Sequence, residues 1–343
     1  MASGLQSWGG AGISRIALAC GGLIAAYLFS GSMTSATVPV LLGSPALCAG
    51  YSGLPEAWGR DQHAGMVFIH GGEFTLGTSL GYQEERNEVR TRVSEFWIDQ
   101  TEVTVAQFAS FIKATGYQTE AEREGGGVVF HNPSAEELNQ RDYAWWSYVK
   151  GADWQHPQGF GSTPVDNQPV TLVTLADALA YAKWLGRDLP TEAEWEYAAK
   201  ANHQGAALEK EPRDQNGKPL ANFWQGSFPT LNSREDGYEG LAAVGCFPAN
   251  DFQVYDMVGN AWEQTKDIYT ESHQSRPNPA GLGTPNQAMV VKGGSHLCGR
   301  NFCVRYRPSA REAHEANLPI SHIGFRTVLH DKANNPLPDF QAW

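Results

Sequence analysis

The sequence is poor in charge. Asp, Glu, Lys and Arg make up 18% of its 343 residues, against roughly 25% in ordinary soluble domains. What charge there is leans acidic, with 25 basic against 37 acidic residues and a formal net charge of −12. Such a field opposes non-specific binding to nucleic acid phosphates or anionic lipid, so no nucleic-acid partner is expected. Several signatures are missing as well. There is no HExxH, Walker loop, GxSxG or properly placed GxGxxG, which removes the usual evidence for zinc proteases, P-loop enzymes, α/β-hydrolases and dinucleotide folds. No Asn-x-Ser/Thr sequon occurs, and neither Cys20 nor Cys48 has a lipobox-like context, so glycan and lipid attachment find no support. Internal repeats and a βαβ alternation are absent too.

What is present is 41% hydrophobic residues with 37 Gly, 19 Pro and 11 Trp, enough for a large core in a loop-rich fold. From residue 16 to residue 55 there is no charged side chain, and Arg15 precedes the apolar run 16–29. That run is short for a span of about 20 residues and suits the apolar region of a signal peptide. Residues 1–36 are therefore expected to be a signal peptide or an N-terminal anchor, the bulk of the chain exported to a periplasmic or secreted location, and any membrane contact confined to that segment. A linker is expected over 37–63, one domain over 64–330 and a tail over 331–343.

Within the domain, residues 66–70 and 73–77 flank Gly71-Gly72 and read as a hairpin, followed by a strand over 93–98. Thr104 and Gln107 are spaced as a capping box, Val105, Phe108, Ala109 and Ile112 form one apolar stripe, and Gly116 ends the helix. Residues 118–167 lack sustained periodicity and read as a long structured excursion. Thr174 with Asp177, and Thr191 with Glu194, start two further helices; Gly186 closes the first of these. Short strands and loops follow. The fold class expected is α+β, a single irregular domain low in regular secondary structure.

Two groups of residues could carry chemistry. Cys298 and Cys303 lie five positions apart; on an unbroken strand they would face opposite sides, and they meet only if the chain turns, which Gly299 permits. Arg300, Arg305, Arg307 and Arg311 would favour thiolates there. The pair reads either as a structural disulfide or as a soft site suited to Cu(I), since CxxC zinc pairs are missing. The second group is oxygen-rich: Asn222, Asp236, Asp256 and Glu263 fall in Gly-rich loops that could wrap a hard cation such as calcium, or could be solvated turns. The ten His residues are scattered and no metal is assigned to them.

The blocks Gly71-Gly72-Glu73-Phe74-Thr75-Leu76-Gly77, Leu189-Pro190-Thr191-Glu192-Ala193-Glu194-Trp195-Glu196-Tyr197-Ala198, Ala221-Asn222-Phe223-Trp224-Gln225-Gly226, Tyr255-Asp256-Met257-Val258-Gly259-Asn260-Ala261-Trp262-Glu263 and the Cys298/Cys303 segment closing at Gly324-Phe325-Arg326 resemble the formylglycine-generating enzymes, the sulfatase-modifying factor family. The resemblance implies a C-type lectin-like related domain with two calcium sites. The first would use the side chains of Asn222 and Asp236 with the carbonyls of Phe223 and Tyr238. The second would use Asp256 and Glu263 with the carbonyls of Gly259 and Ala261. Cu(I) would lie between Cys298 and Cys303, with Ser295 beside it as a third catalytic residue and with Trp262 and Arg311 supporting the substrate pocket.

The implied reaction is oxidation of a Cys in a Cys-x-Pro-x-Arg segment of a sulfatase to Cα-formylglycine, using O2 and an external reductant. Other readings are a non-catalytic relative in which the Cys pair is a plain disulfide, and a related oxidase with another substrate. Further Cys that the vertebrate enzymes carry near Pro308 and Thr327 are absent, so packing and calcium are expected to hold the fold, with no role given to Cys48 or Cys246. Gln264 and Gly299 replace bulkier family residues and bear on substrate preference.

Overall fold

The computed structural model describes residues 42–273 and 287–330. The segment expected to be a signal peptide or anchor, 1–36, and the expected tail, 331–343, lie outside the described residues. Helices form where the sequence supplies caps. In α2, Val105–Thr115, Thr104 Oγ1 accepts the Gln107 N–H at 3.1 Å and Gln107 Oε1 accepts the Thr104 N–H at 2.9 Å. Two otherwise orphaned donors are thereby satisfied. Gly116 ends the helix in the left-handed region, φ 66°. The same device starts α5, Leu175–Trp184, at Thr174 and Asp177, and α6, Glu192–Lys200, at Thr191 and Glu194. Gly186 takes φ 69° just past α5.

The expected hairpin around Gly71-Gly72 does not form. Strand β1, Met66–Ile69, pairs with β4, Phe96–Asp99, whereas β2, Gly72–Leu76, pairs with β3, Val89–Val93. A two-residue hairpin needs positive φ at its centre, and neither Gly71 nor Gly72 has one; the chain instead crosses between sheets. The strand expected over 93–98 is split for the same reason, since Val93 closes β3 and Phe96 opens β4. The excursion over 118–167 contains α3, Glu120–Glu124, the antiparallel pair β5, Gly126–Phe130, and β6, Trp146–Lys150, and α4, Ala135–Gln140.

The site rests on a four-stranded sheet ordered β10-β7-β8-β9, formed by Ile323–Gly324, Trp262–Ile268, Ala288–Lys292 and Arg311–Glu315. A second sheet runs β1-β4-β11, the last being Val328–Leu329. Three apolar clusters join these layers. Phe108, Tyr181 and Phe325 pack α2 against α5, and Phe96, Ile98, Trp195 and Val328 pack α6 against the second sheet. Phe223, Trp262, Val291, Cys298 and Tyr306 form the third, beneath the cysteine loop. Side chains such as Phe108 and Tyr181 are wholly buried, and full burial of a large apolar side chain is worth about 1.5–3 kcal/mol.

Residues 42–63, expected as a linker, are packed into the domain. A short helix α1, Pro45–Cys48, buries Cys48, which is disulfide-bonded to Cys246 with Cα atoms 5.1 Å apart. Asn167 Nδ2 donates to the carbonyls of Cys48 and Tyr51 at 3.2 and 3.1 Å, and the Gly43 N–H donates to Gly245 O at 2.7 Å. The expectation that packing and calcium alone hold the fold is therefore corrected, because a covalent tie spans 198 residues. No helix among the described residues is long and apolar enough to cross a membrane.

Candidate functional site

Cys298 and Cys303 meet through the expected turn. Gly299 and Phe302 exchange backbone hydrogen bonds at 2.7 and 3.1 Å, and the two cysteines are joined as a disulfide with Cα atoms 4.8 Å apart. Gly299 contributes space rather than an unusual φ: a Cβ there would stand 3.3 Å from the Trp224 ring. The left-handed residue is Cys303 itself, φ 54°. Non-glycine residues seldom adopt that region, and strain of this kind concentrates at functional sites.

The pair lines a cavity of about 300 Å3 together with Ser295, Trp262, Tyr143, Trp146, Phe302, Arg305, Glu312, His314 and His322. Ser295 is fully buried, and its Oγ accepts the Leu297 N–H at 3.2 Å. Trp262, at the start of β7, is buried below the pair. His314 and His322 were not singled out from the sequence. Burial lowers both, His314 to about 4, so each is a neutral imidazole at pH 7. Their only cue is the β9 and β10 context, which becomes legible once the register is known.

Two expectations about this loop are corrected. Arg311 does not reach the cavity. Its Nε and Nη2 hold the Glu192 carboxylate at 2.8 and 3.0 Å, and its Nη1 donates to Thr270 O at 2.7 Å. The positive setting expected around the thiols is also neutralised. Arg300 pairs with Glu211, Arg305 with Glu84, and Arg307 with Glu85 and Glu209. Arg300 is exposed, but the largely buried guanidinium groups of Arg305 and Arg307 need counter-charges, and the sequence supplies these from distant segments. Gln264 bears on packing, since its Nε2 donates to Val173 O at 2.9 Å in the interior.

The oxygen-rich residues do come together. The Asp236 carboxylate accepts the N–H groups of Phe223 and Tyr238 at 3.1 and 2.9 Å, and the Gln225 amide at 2.8 Å. That same Gln225 amide also donates to the Phe223 carbonyl. Two of the oxygens expected to bind calcium therefore converge on one electropositive group. Burial raises the Asp236 carboxyl, and the partners that oppose this are all uncharged, a setting suited to a hard cation. Asn222 is buried beside it, with its Nδ2 on Gly240 O at 2.9 Å and Asn260 Oδ1 at 3.0 Å.

Gly259 brings the second segment against the first. It takes φ 79°, and a Cβ on it would lie 2.2 Å from Asn222 O, so the crossing requires glycine. Behind it, Glu263 accepts Arg326 Nε and Nη2 at 2.6 and 2.7 Å and the Trp195 indole at 2.7 Å. Asp256 Oδ2 accepts the Gly245 N–H at 2.5 Å, and burial pushes its carboxyl up to about 6. A third carboxylate, Glu102, was missed from the sequence. It is fully buried, and its Oε1 accepts Asn260 Nδ2 at 2.9 Å while Oε2 has no partner. Burial, then Asp256 and Glu263, drive its carboxyl well above the usual range. Three buried carboxylates face Arg326 here, and the Glu102 side chain is set against Asp256, a donor set whose chemistry suits a hard cation.

Comparison with known proteins bears on the family. Residues 51–331 match the sulfatase-modifying factor enzyme 1-like domain. The chain is 40% identical to a formylglycine-generating enzyme of Mycobacterium tuberculosis over 77% of this chain and 97% of that one. It is 42% identical to one from Thermomonospora curvata, over 80% and 96%. An inactive Cα-formylglycine-generating enzyme of Mus musculus is also similar, at 37% identity over 82% of this chain and 90% of its own. Among solved structures, PvdO from Pseudomonas aeruginosa shares the fold, with a TM-score of 0.53 at 20% identity, covering 86% of this chain and 99% of that one.

Proposed function

Because the chain belongs to the sulfatase-modifying factor enzyme family and is an oxidase that makes formylglycine, we propose that it oxidises a Cys in a Cys-x-Pro-x-Arg segment of a sulfatase, using copper, O2 and an external reductant. The observation that carries this reading is the cysteine pair in one cavity with Ser295 and Trp262. Similarity alone would not suffice, since an inactive relative matches at 37% identity. Reduced, Cys298 and Cys303 offer two soft donors on one short loop, a set that selects Cu(I) over harder ions. Copper held there would supply the electron-rich centre that activates O2. His296 lines the neighbouring cavity rather than this one.

The protein's own residues do the rest. Ser295 forms the polar wall beside the pair, Trp262 closes the floor against water, and the aromatic side chains at the mouth shield the reacting thiol. The substrate Cβ passes from thiol to aldehyde level and sulfur leaves as hydrogen sulfide. One oxygen atom enters the aldehyde. Two electrons and two protons from the reductant carry the other away as water.

Calcium belongs to the same reading, as a structural ion at the Asn222/Asp236 and Asp256/Glu263 clusters, with Glu102 added to the second. Export is part of it too, supported by the charge-free run before residue 55 and by the Cys48–Cys246 disulfide, a bond typical of oxidising compartments. The test is aerobic incubation of the copper-loaded protein with a short Cys-x-Pro-x-Arg peptide and reductant, read by mass spectrometry. Conversion of the thiol to the aldehyde is expected; a peptide that stays a thiol while copper is bound removes this function.

A further inference from the structure

Glu312, on β9, supplies the carboxylate of the cysteine cavity. Strand alternation puts it on the same side as His314, and its register partner Val291 lines the cavity too. The Glu312 side chain is 46% exposed, and its contact with Arg305 is loose, Nη1 to Oε2 at 3.7 Å. Arg305 is committed elsewhere: its Nη2 reaches Glu84 at 2.5 Å, and its guanidinium lies over the Tyr82 ring at 4.2 Å. Partial burial raises the Glu312 carboxyl, and Arg305 only partly offsets this. A half-exposed, under-compensated carboxylate thus stands in the wall of the reaction cavity.

We propose that Glu312 is the specificity-determining residue that docks the guanidinium of the substrate arginine, a role that rests on the formylglycine reading above. In a Cys-x-Pro-x-Arg segment four residue steps separate the two side chains, roughly 13 Å of extended backbone. That figure is the upper limit for a straight segment; Arg305, two positions beyond Cys303, already spans from the cysteine loop to Glu312, so an arginine side chain presented beside that loop reaches this carboxylate. A planar guanidinium matches a carboxylate through two parallel hydrogen bonds, which the loose Arg305 contact leaves open. The neighbouring cavity, about 600 Å3, offers no equivalent: its carboxylate Glu239 is taken by Arg234 at 2.9 Å, and the cysteines lie outside it.

The experiment compares wild type, Glu312→Gln and Glu239→Gln with two peptides, Cys-x-Pro-x-Arg and Cys-x-Pro-x-Gln, by direct binding titration and by steady-state kinetics. Melting temperatures check folding. Wild type should prefer the arginine peptide, and Glu312→Gln should raise its Kd and KM by roughly 10- to 100-fold, the range of a charge-assisted pair. The glutamine peptide should bind wild type and Glu312→Gln equally, and Glu239→Gln should keep the preference. Equal weakening toward both peptides, an unchanged preference in Glu312→Gln, or loss of the preference in Glu239→Gln would overturn the assignment. If wild type binds the arginine peptide selectively but never oxidises it, and Glu312→Gln abolishes that selectivity, the docking site stands and the oxidase reading falls.

Discussion

At Cys298 and Cys303 a five-residue spacing and one turn settle which atoms can meet, and the chemistry then depends on both sulfurs. A two-coordinate Cu(I) site loses half of its donors with either one. Cys298→Ser and Cys303→Ser are each expected to abolish peptide oxidation and to weaken Cu(I) binding by orders of magnitude, measured by competition with a Cu(I) chelator; a plain structural disulfide would instead cost stability with no copper affinity to lose. Asp256 gives a prediction in pH. Its carboxyl is raised to about 6 in the metal-free protein, so its contribution to stability is complete below its unfolded value of about 4 and is lost as pH rises through 6. Calcium needs the ionised form, and the rise in melting temperature on adding calcium should be larger at about pH 7.5 than at about pH 5. An equal rise at both would remove Asp256 from the site. At this scale the cysteine pair and most of the oxygen-bearing residues that converge beside Asn222 and Asp256 were legible as motifs. Glu102 was not, because it stands among ordinary polar residues, Asp99-Gln100-Thr101 before it and Thr104 after it, and the groups that the fold assembles around it come from the distant segment 256–263.

Among the elements, capping chemistry was the most readable. Three boxes were recognised from spacing, whereas those at Thr119/Glu122 and Ser134/Glu137 were missed because they start helices too short to show an apolar stripe. Thr191→Ala, which removes the α6 cap, should cost about 1 kcal/mol in urea unfolding. A larger loss is expected one residue on. Burial would raise the Glu192 carboxyl, but Lys292, His273 and Arg311 outweigh it and hold it far below the usual range. Glu192→Gln leaves two buried cations under-compensated and should destabilise by about 3–5 kcal/mol, with denaturant midpoints as the readout. The strands were harder. Alternation identified β-rich runs on both sides of Gly71-Gly72, but their partners lie more than ten residues away, and pairing over such distances is set by sheet packing rather than by the turn between two runs. The same long-range pairing hid the four arginine–glutamate contacts that neutralise the cysteine loop.

For the molecule as a whole, the feature least visible in the sequence is the bond between Cys48 and Cys246. Two cysteines 198 positions apart carry no spacing signal, since connectivity cannot be deduced from sequence alone. Its effect reaches past the N-terminal segment. Cys246 is next to Gly245, whose N–H holds the Asp256 carboxylate and whose carbonyl accepts the Gly43 N–H. The disulfide therefore braces the same loop that presents one carboxylate of the second proposed calcium cluster, and covalent tie and cation should support each other. In the double variant Cys48→Ala/Cys246→Ala, unfolding free energy is expected to fall by about 2–5 kcal/mol, the usual cost of losing a native disulfide. Calcium affinity should weaken as well, because the loop must be ordered at the moment of binding, and by reciprocity calcium should recover part of the lost melting temperature. Copper affinity and peptide oxidation per folded molecule should hardly change, because the Cys298/Cys303 loop is positioned by the four-stranded sheet and not by this bond. Calcium titrations and melts on wild type and the double variant, with and without chelator, measure the coupling. Identical calcium affinity in the two proteins would show that the loop is held by packing alone.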